Sequence, residues 1–349
     1  MSRLAARVAK SILATSGSGR AFVDTKARVP QLHNHITDLI KSSSILRNRF
    51  FDFEQIDRNV FRATNLTTSA QQSENAAYGG LVVAQAVSAA ESTVPHSFKP
   101  NSIHAYFISN VDTTVPVDYE VRLIRDSRSF CTRSVDAIQN GQVVFTLQSS
   151  FHVVEPDSCV HQSSYPTVIK PPSECPDYNE VANDLQDKLR SGFIKGSENT
   201  RTAIVDHSKI DQWLFDMRCT DTESLFGLGE SPSYFHFWIR SKIPLSTVDE
   251  RLHRWLVIYA SDASPYTAIF RPHTKNDFAP SMAVSLDHVM YFHQYEIKAD
   301  EWLLYEVESP TAGAGRGFTQ GRIWGTDGKL LISFTQEALV RTRGEVSRQ

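Results

Sequence analysis

The apolar and polar positions change period along the chain. From Val117 to Arg125, Val117, Tyr119, Val121 and Leu123 alternate with Asp118, Glu120 and Arg122. That period of two marks a strand with one buried face. Arg128–Ile138 and Gln142–Val153 then read as a hairpin around Asn140-Gly141. Trp302–Glu308, Phe318–Thr326 and Lys329–Val340 repeat the pattern, with Asp327-Gly328 at the second turn. Asn-Gly and Asp-Gly both favour the type I′ turn. Helical stretches precede both sets of strands. One runs from Leu81 to Glu91 after Gly79-Gly80. The other carries Leu252, Trp255, Leu256 and Tyr259 at helical spacing, after a capping box read at Thr247-Val-Asp-Glu250.

The two sets correspond in sequence as well. Arg128 and Phe130 match Arg316 and Phe318 at an offset of 188, and Gln148 matches Gln336 at the same offset. The turns match at 187, and Ser102 matches Ser285 at 183. Each unit is therefore read as a helix followed by a curled antiparallel sheet, an α+β plan. The units are expected to pack together, each covering the other's sheet. Between them lie Pro156, Pro166, Pro171, Pro172 and Pro176, the mark of a linker, and then a less regular segment to about residue 200.

Two polar residues interrupt apolar faces in the second unit. One more turn of the stripe 252, 255, 256 and 259 reaches Asp262, a costly place for a carboxylate unless it is paired or hydrated. The other reading ends the helix at Ala260 or Ser261 and makes Asp262 a cap. Gln336 shares a strand face with Leu330, Ile332, Phe334, Ala338 and Val340, where a buried amide needs partners. The alternatives there are a bulge that turns the face locally, or a structural amide that ties strands together. Aligned by eye, the first helix offers only small residues such as Ser88 and Ala89 opposite Asp262. One site per pair of repeats is the simplest expectation.

Composition narrows the picture. The 36 basic and 39 acidic residues among 349 leave a net charge of −3, without the basic excess that nucleic-acid binding uses. No apolar run reaches the length of a membrane span. Hydrophobic residues make up 41%, enough for one or two cores. Cys131, Cys159, Cys175 and Cys219 contain no CxxC pair and read as reduced thiols. His104, His288 and His293 lack metal-ligand spacing on a helix, so neither metal nor cofactor is expected. Residues 1–33 carry six basic residues against Asp24 and resemble an organellar leader.

The segments YGGLVVAQA at Tyr78–Ala86, YASD at Tyr259–Asp262, SLDHVMYFH at Ser285–His293, EWLLYEVES at Glu301–Ser309, GRGFTQG at Gly315–Gly321 and FTQEALVR at Phe334–Arg341 are together specific. The chain resembles, over about residues 34–343, the acyl-CoA thioesterase II family. That resemblance implies two fused hotdog folds, a double hotdog. It divides the chain into a leader (1–33), an N-terminal repeat (34–155), a linker (156–200) and a C-terminal repeat carrying the catalytic residues (201–343). It implies that Asp262, Ser285 and Gln336 hold a water that attacks the acyl-CoA thioester. Bacterial relatives have Thr where Ser285 stands; both supply a hydroxyl. Asp262 is the general base or principal orienter, and backbone amides near a helix N-terminus, Gly79-Gly80 among the candidates, would receive the oxyanion. Homo-oligomers of the double unit are expected. The alternatives are a hotdog enoyl-CoA hydratase or a non-catalytic acyl-CoA binding protein. The hydratase pairs Asp with a His five residues on, where this chain has Thr267 after Asp262 and Met282 after Asp277.

A covalent serine route is disfavoured. Ser285 and His288 are three apart, so a regular strand turns them to opposite faces, and no G-x-S-x-G elbow occurs. Asp287 and His288 also face opposite ways, which suggests a structural or surface role. The glycines at 313, 315 and 317 read as a flexible strand connection, with Arg316 a candidate for a CoA phosphate. Family relatives often end in a peroxisomal Ser-Lys-Leu, and this chain reads Ser347-Arg348-Gln349. The leader suggests mitochondria instead.

Overall fold

The computed structural model describes residues 41–68, 75–193, 214–222, 231–245, 249–263, 267–276, 278 and 280–342. The leader and Thr247 lie outside them. The strands are β1 (Glu54–Asp57), β2 (Val60–Ala63), β3 (Phe98–Phe107), β4 (Val117–Asp126), β5 (Phe130–Gln139), β6 (Gln142–Val153), β7 (Phe215–Cys219), β8 (Tyr234–Ser241), β9 (Met282–Ser285), β10 (Asp287–Phe292), β11 (Leu303–Gly313), β12 (Arg316–Gly325) and β13 (Leu330–Arg341). The longer helices are α1 (Gly79–Glu91), α2 (Tyr178–Arg190) and α3 (Glu250–Ser261). This is the α+β double hotdog.

All the strands join one antiparallel sheet in the order β1-β2-β4-β5-β6-β3-β10-β13-β12-β11-β8-β7, with β9 also on β13. The second half of that order repeats the first in reverse, and the seam is the β3–β10 ladder from Asp287↔Tyr106 to Tyr291↔Ser102. The halves thus meet edge to edge. The expectation that each covers the other's sheet is corrected: α1 and α3 pack on each other instead. α1 is buried along nearly its whole length, which is why its sequence shows Ala and Val on every side rather than a stripe. Its Gln85 is satisfied inside by donating to the carbonyls of Phe50 and Asn65 and accepting from Tyr119.

Register also corrects the alignment of the repeats. Arg133 pairs with Ser149 and Thr319 with Gln336, each on the buried face. The equivalent of Gln336 is therefore Ser149, whereas Gln148 is exposed. Buried Tyr119 and Tyr305 hold the same place in β4 and β11. Pro100 opposite Phe151 matches Ser285 opposite Ala338. Shared residue letters at an offset of 188 misled here, because pairing register decides which face a side chain takes.

Local chemistry explains other departures. Asn140 and Gly141 both have positive φ, as type I′ requires. At the second turn only Gly328 does, and its N–H donates to the carbonyl of Gly325: a type I turn closed by a left-handed glycine. The glycine-rich stretch is not a loose connection. Ala314 and Gly315 both have positive φ and close a two-residue turn between β11 and β12. Leu123 is exposed, because a register shift between Leu123 and Arg125 breaks the alternation. The N-cap of α3 is Asp249, whose side chain accepts from the N–H of Leu252, rather than Thr247. The segment read as irregular contains α2, capped by Asp177 and seated through Tyr178, Val181, Ala182 and Leu185. The four cysteines are free.

Candidate active site

The antiparallel crossing of α1 and α3 brings the start of one helix to the end of the other. Asp262 is the C-cap residue of α3, so the helix does end at Ser261. Its carboxylate nonetheless turns inward, with 7% exposure. Both readings of the sequence thus hold in part. Gln336, 1% exposed, stays on the inner face with Ile332, Phe334 and Ala338, without any local turning of the strand. Its Nε2 donates to Asp262 Oδ1 at 3.0 Å and also to Ser285 Oγ. The three side chains expected from the sequence therefore form one hydrogen-bonded cluster.

Ser285 reaches the cluster through a strand irregularity. It ends β9 opposite Ala338, and β10 starts at Asp287 after Leu286 donates its N–H to the carbonyl of Glu337. The interruption shifts the pairing by one residue, so Ser285 and His288 lie on the same buried side. This corrects the expectation of opposite faces. Ser285 and His288 nevertheless share no hydrogen bond among those of the site; His288 Nε2 lies 2.8 Å from Ser261 Oγ. His288 is 0% exposed, so the surface reading is corrected too. Asp287 does face the other way, accepting from the N–H of Glu337 at 2.7 Å.

The first half supplies the wall opposite Asp262. A Cβ on Gly80 would stand 2.3 Å from the carbonyl oxygen of Tyr259, and one on Gly79 would stand 2.8 Å from Asp262 Oδ2. Only glycine lets the helix start come this close. The N–H of Gly80 donates to Asp262. Tyr78 Oη donates to the carbonyl of Tyr259 at 3.0 Å, which ties the two helix ends together.

Electrostatics follow from this burial. Desolvation raises Asp262 to about 6, and the donors Gln336 and Gly80 restrain the rise. No cation is paired with it in the cluster. A carboxylate of that basicity is mostly ionised near pH 7 yet still able to take a proton. Arg316 is removed from consideration as a free anion contact, because its Nε donates to Glu337 Oε1 at 2.9 Å on the exposed surface.

Comparison with known proteins gives the same direction. A family profile described as acyl-CoA thioesterase C-terminal domain matches residues 174–340, and one described as acyl-CoA thioesterase N-terminal domain matches residues 68–152. The chain is 31% identical to acyl-coenzyme A thioesterase 8 of Rattus norvegicus over 310 residues, 87% of this chain and 91% of that protein. It is 30% identical to acyl-CoA thioesterase 2 of Haemophilus influenzae over 308 residues, 86% of this chain and 99% of that protein. It is 24% identical to peroxisomal acyl-coenzyme A thioester hydrolase 1 of Saccharomyces cerevisiae, covering 75% and 85% of the two chains. Among solved structures, an acyl-CoA thioesterase II from Mycobacterium marinum superposes with a TM-score of 0.65 at 28% identity, covering 87% of this chain and all of that one.

Proposed function

The chain belongs to the acyl-CoA thioesterase II family and hydrolyses acyl-CoA, and from that premise we propose that Asp262, Ser285 and Gln336 hold and activate the attacking water. The observation that supports this reading is the cluster itself: a buried carboxylate without a cation, an amide and a hydroxyl within hydrogen-bond reach of one another.

Asp262 takes a proton as the water oxygen bonds to the thioester carbonyl carbon. The amide of Gln336 and the hydroxyl of Ser285 fix where that oxygen sits, a contribution of orientation. The carbonyl oxygen gains negative charge and needs donors. The N–H of Gly80 is committed to Asp262, so the N–H of Gly79, in the first turn of α1, is the better-placed donor. When the tetrahedral intermediate collapses, the carbon–sulfur bond breaks and the proton on Asp262 passes to the departing CoA sulfur. The products are the free acid and CoA, with Asp262 ionised again.

Incubation with acyl-CoAs of several chain lengths, followed by free-thiol release, tests this assignment. Release by the wild type and its loss in Asp262→Ala is the expected result. Wild-type rates in Asp262→Ala overturn the role of Asp262, and a hydrated product without free thiol turns the reading to a hydratase.

Three wider readings accompany this one. The repeats are assigned to 34–155 and 201–343, flanking a linker at 156–200, in line with the ranges of the two family profiles. The protein works in the peroxisomal matrix, as the name of the yeast relative supports; fluorescent fusions at each terminus test it against mitochondria. It is a homo-oligomer of double units, which the exposed Tyr106, Ile108 and Tyr291 near the seam support; light scattering on the purified protein gives its mass.

A further inference from the structure

His288 stands outside the three residues assigned above, yet it lies wholly buried beside them. The β10–β13 ladder pairs Val289 with Thr335, and one further step sets His288 directly opposite Gln336. Both side chains take the inner face, the closest placement a sheet gives two residues. Gln336 Oε1 and His288 Nδ1 are both buried, and neither has a hydrogen-bond partner elsewhere.

The amide can be oriented from its surroundings. A carboxylate only accepts, so the NH2 end of Gln336 belongs toward Asp262, where it lies. Its Oε1 then faces the other way and needs a donor. A neutral imidazole carrying its proton on Nδ1 is such a donor. Its Nε2 becomes an acceptor, for the hydroxyl of Ser261 at 2.8 Å. Ser261 Oγ also lies 2.7 Å from the carbonyl of Ile258, and its single proton can serve only one of them. The orientation of Gln336 decides for the ring.

We propose that His288 is a positioning residue: its Nδ1–H donates to Gln336 Oε1 and holds the amide so that Nε2 faces Asp262 and Ser285. The relay runs from Ser261 Oγ through the ring and the amide to the carboxylate. Burial pulls the imidazole down to about 4, so the ring stays neutral at working pH, and the Gln336 amide offsets part of that fall by accepting from it. His288 touches no reacting atom. A reversed amide would set Oε1 against the carboxylate and withdraw the donor from the water site.

The inference rests on the assignment of Gln336 above. Three variants test it on the full chain: His288→Asn places an NH2 near Nδ1, His288→Gln places one near Nε2, and His288→Leu removes both. Each is made alone and with Gln336→Ala, and kcat and KM are measured on one acyl-CoA. His288→Leu and His288→Gln are expected to lose about 10- to 100-fold in kcat with KM little changed, since misorientation affects the chemical step. His288→Asn keeps most of the rate. With Gln336→Ala present, none of the three changes kcat further. Equal rates for the Asn and Gln variants overturn the proposal, and so does a His288→Leu loss that persists undiminished beside Gln336→Ala. The Asn and Gln contrast decides even where the Leu variant fails to fold. A wild-type rate in Gln336→Ala alone overturns the assignment of Gln336 instead.

Discussion

The two ends of the α1–α3 pair are built on one plan and chemically opposed. Counting from the N-caps Tyr78 and Asp249, Asp262 of one helix corresponds to Glu91 of the other. The sequence alignment had set small residues there, Ser88 and Ala89; the structure sets a second buried acid. Glu91 Oε1 accepts from Arg254 Nη2 at 2.9 Å, and Oε2 accepts from the indole of Trp255. The other positions differ as sharply. Gln336 corresponds to Ser149, which is too short to bridge. Ser285 corresponds to Pro100, which has neither hydroxyl nor N–H. Gly79 and Gly80 correspond to Glu250 and Arg251. One end therefore leaves its carboxylate basic and accessible to a small molecule. The other neutralises it and fills the space with a guanidinium and an indole. A buried acid alone is not a site; the partners decide whether it holds a fold or moves a proton.

The contrast breaks most visibly in catalysis. Asp262→Asn is expected to lower kcat by about a thousandfold, the scale of general-base loss. Glu91→Gln in correctly folded protein is expected to leave kcat nearly unchanged, as thiol-release assays will read. Equal losses would erase the distinction between the ends.

Stability should show the reverse. Arg254→Met leaves Glu91 buried without its cation, an expected loss of about 3–5 kcal/mol in denaturant unfolding. Combining it with Glu91→Gln should recover most of that loss, because the charge and its partner leave together.

The third test uses pH. Asp262 is held near 6 in the fold and near 4 in the unfolded chain, so the folded state binds the extra proton between those values. Its stabilising effect is present below pH 4 and is lost as pH rises through 6. By pH 8 wild type should have lost about 3 kcal/mol relative to Asp262→Asn, compared with pH 4, measured by chemical denaturation at both values. The same ionisation gives the rate an acid limb: kcat should fall as pH drops through about 6, followed by thiol release at saturating substrate.

The smallest effect belongs to Ser285→Thr. The hydroxyl remains and the added methyl only restricts its rotation, so kcat is expected within about threefold of wild type.

Much of this was legible before any coordinates. Asp262 and Gln336 stood out because a charge and an amide interrupted apolar faces, and periodicity alone shows that. Ser285 carried no such mark; its place came from the family resemblance, since the irregularity at Leu286 that brings it inward has no signature in residue types. Glu91 was hidden for a related reason. It sits at the last turn of a helix buried on all sides, where no stripe shows which way a residue faces. The partner that explains it, Arg254, lies 163 residues away. His288 was misplaced because the rule of alternation fails at a bulge. Strand existence was readable throughout, whereas the register that equates Ser149 with Gln336 depends on turn geometry and pairing.

The seam between β3 and β10 also bears on how the protein is made. During synthesis β3 leaves the ribosome about 180 residues before its partner, and until then the first half carries an open strand edge and only the glycine wall of the site. The nascent N-terminal half is thus complete in hydrogen bonding on one side only. Its complement is encoded in the same message, so each molecule brings its own matching edge rather than competing for a stranger's.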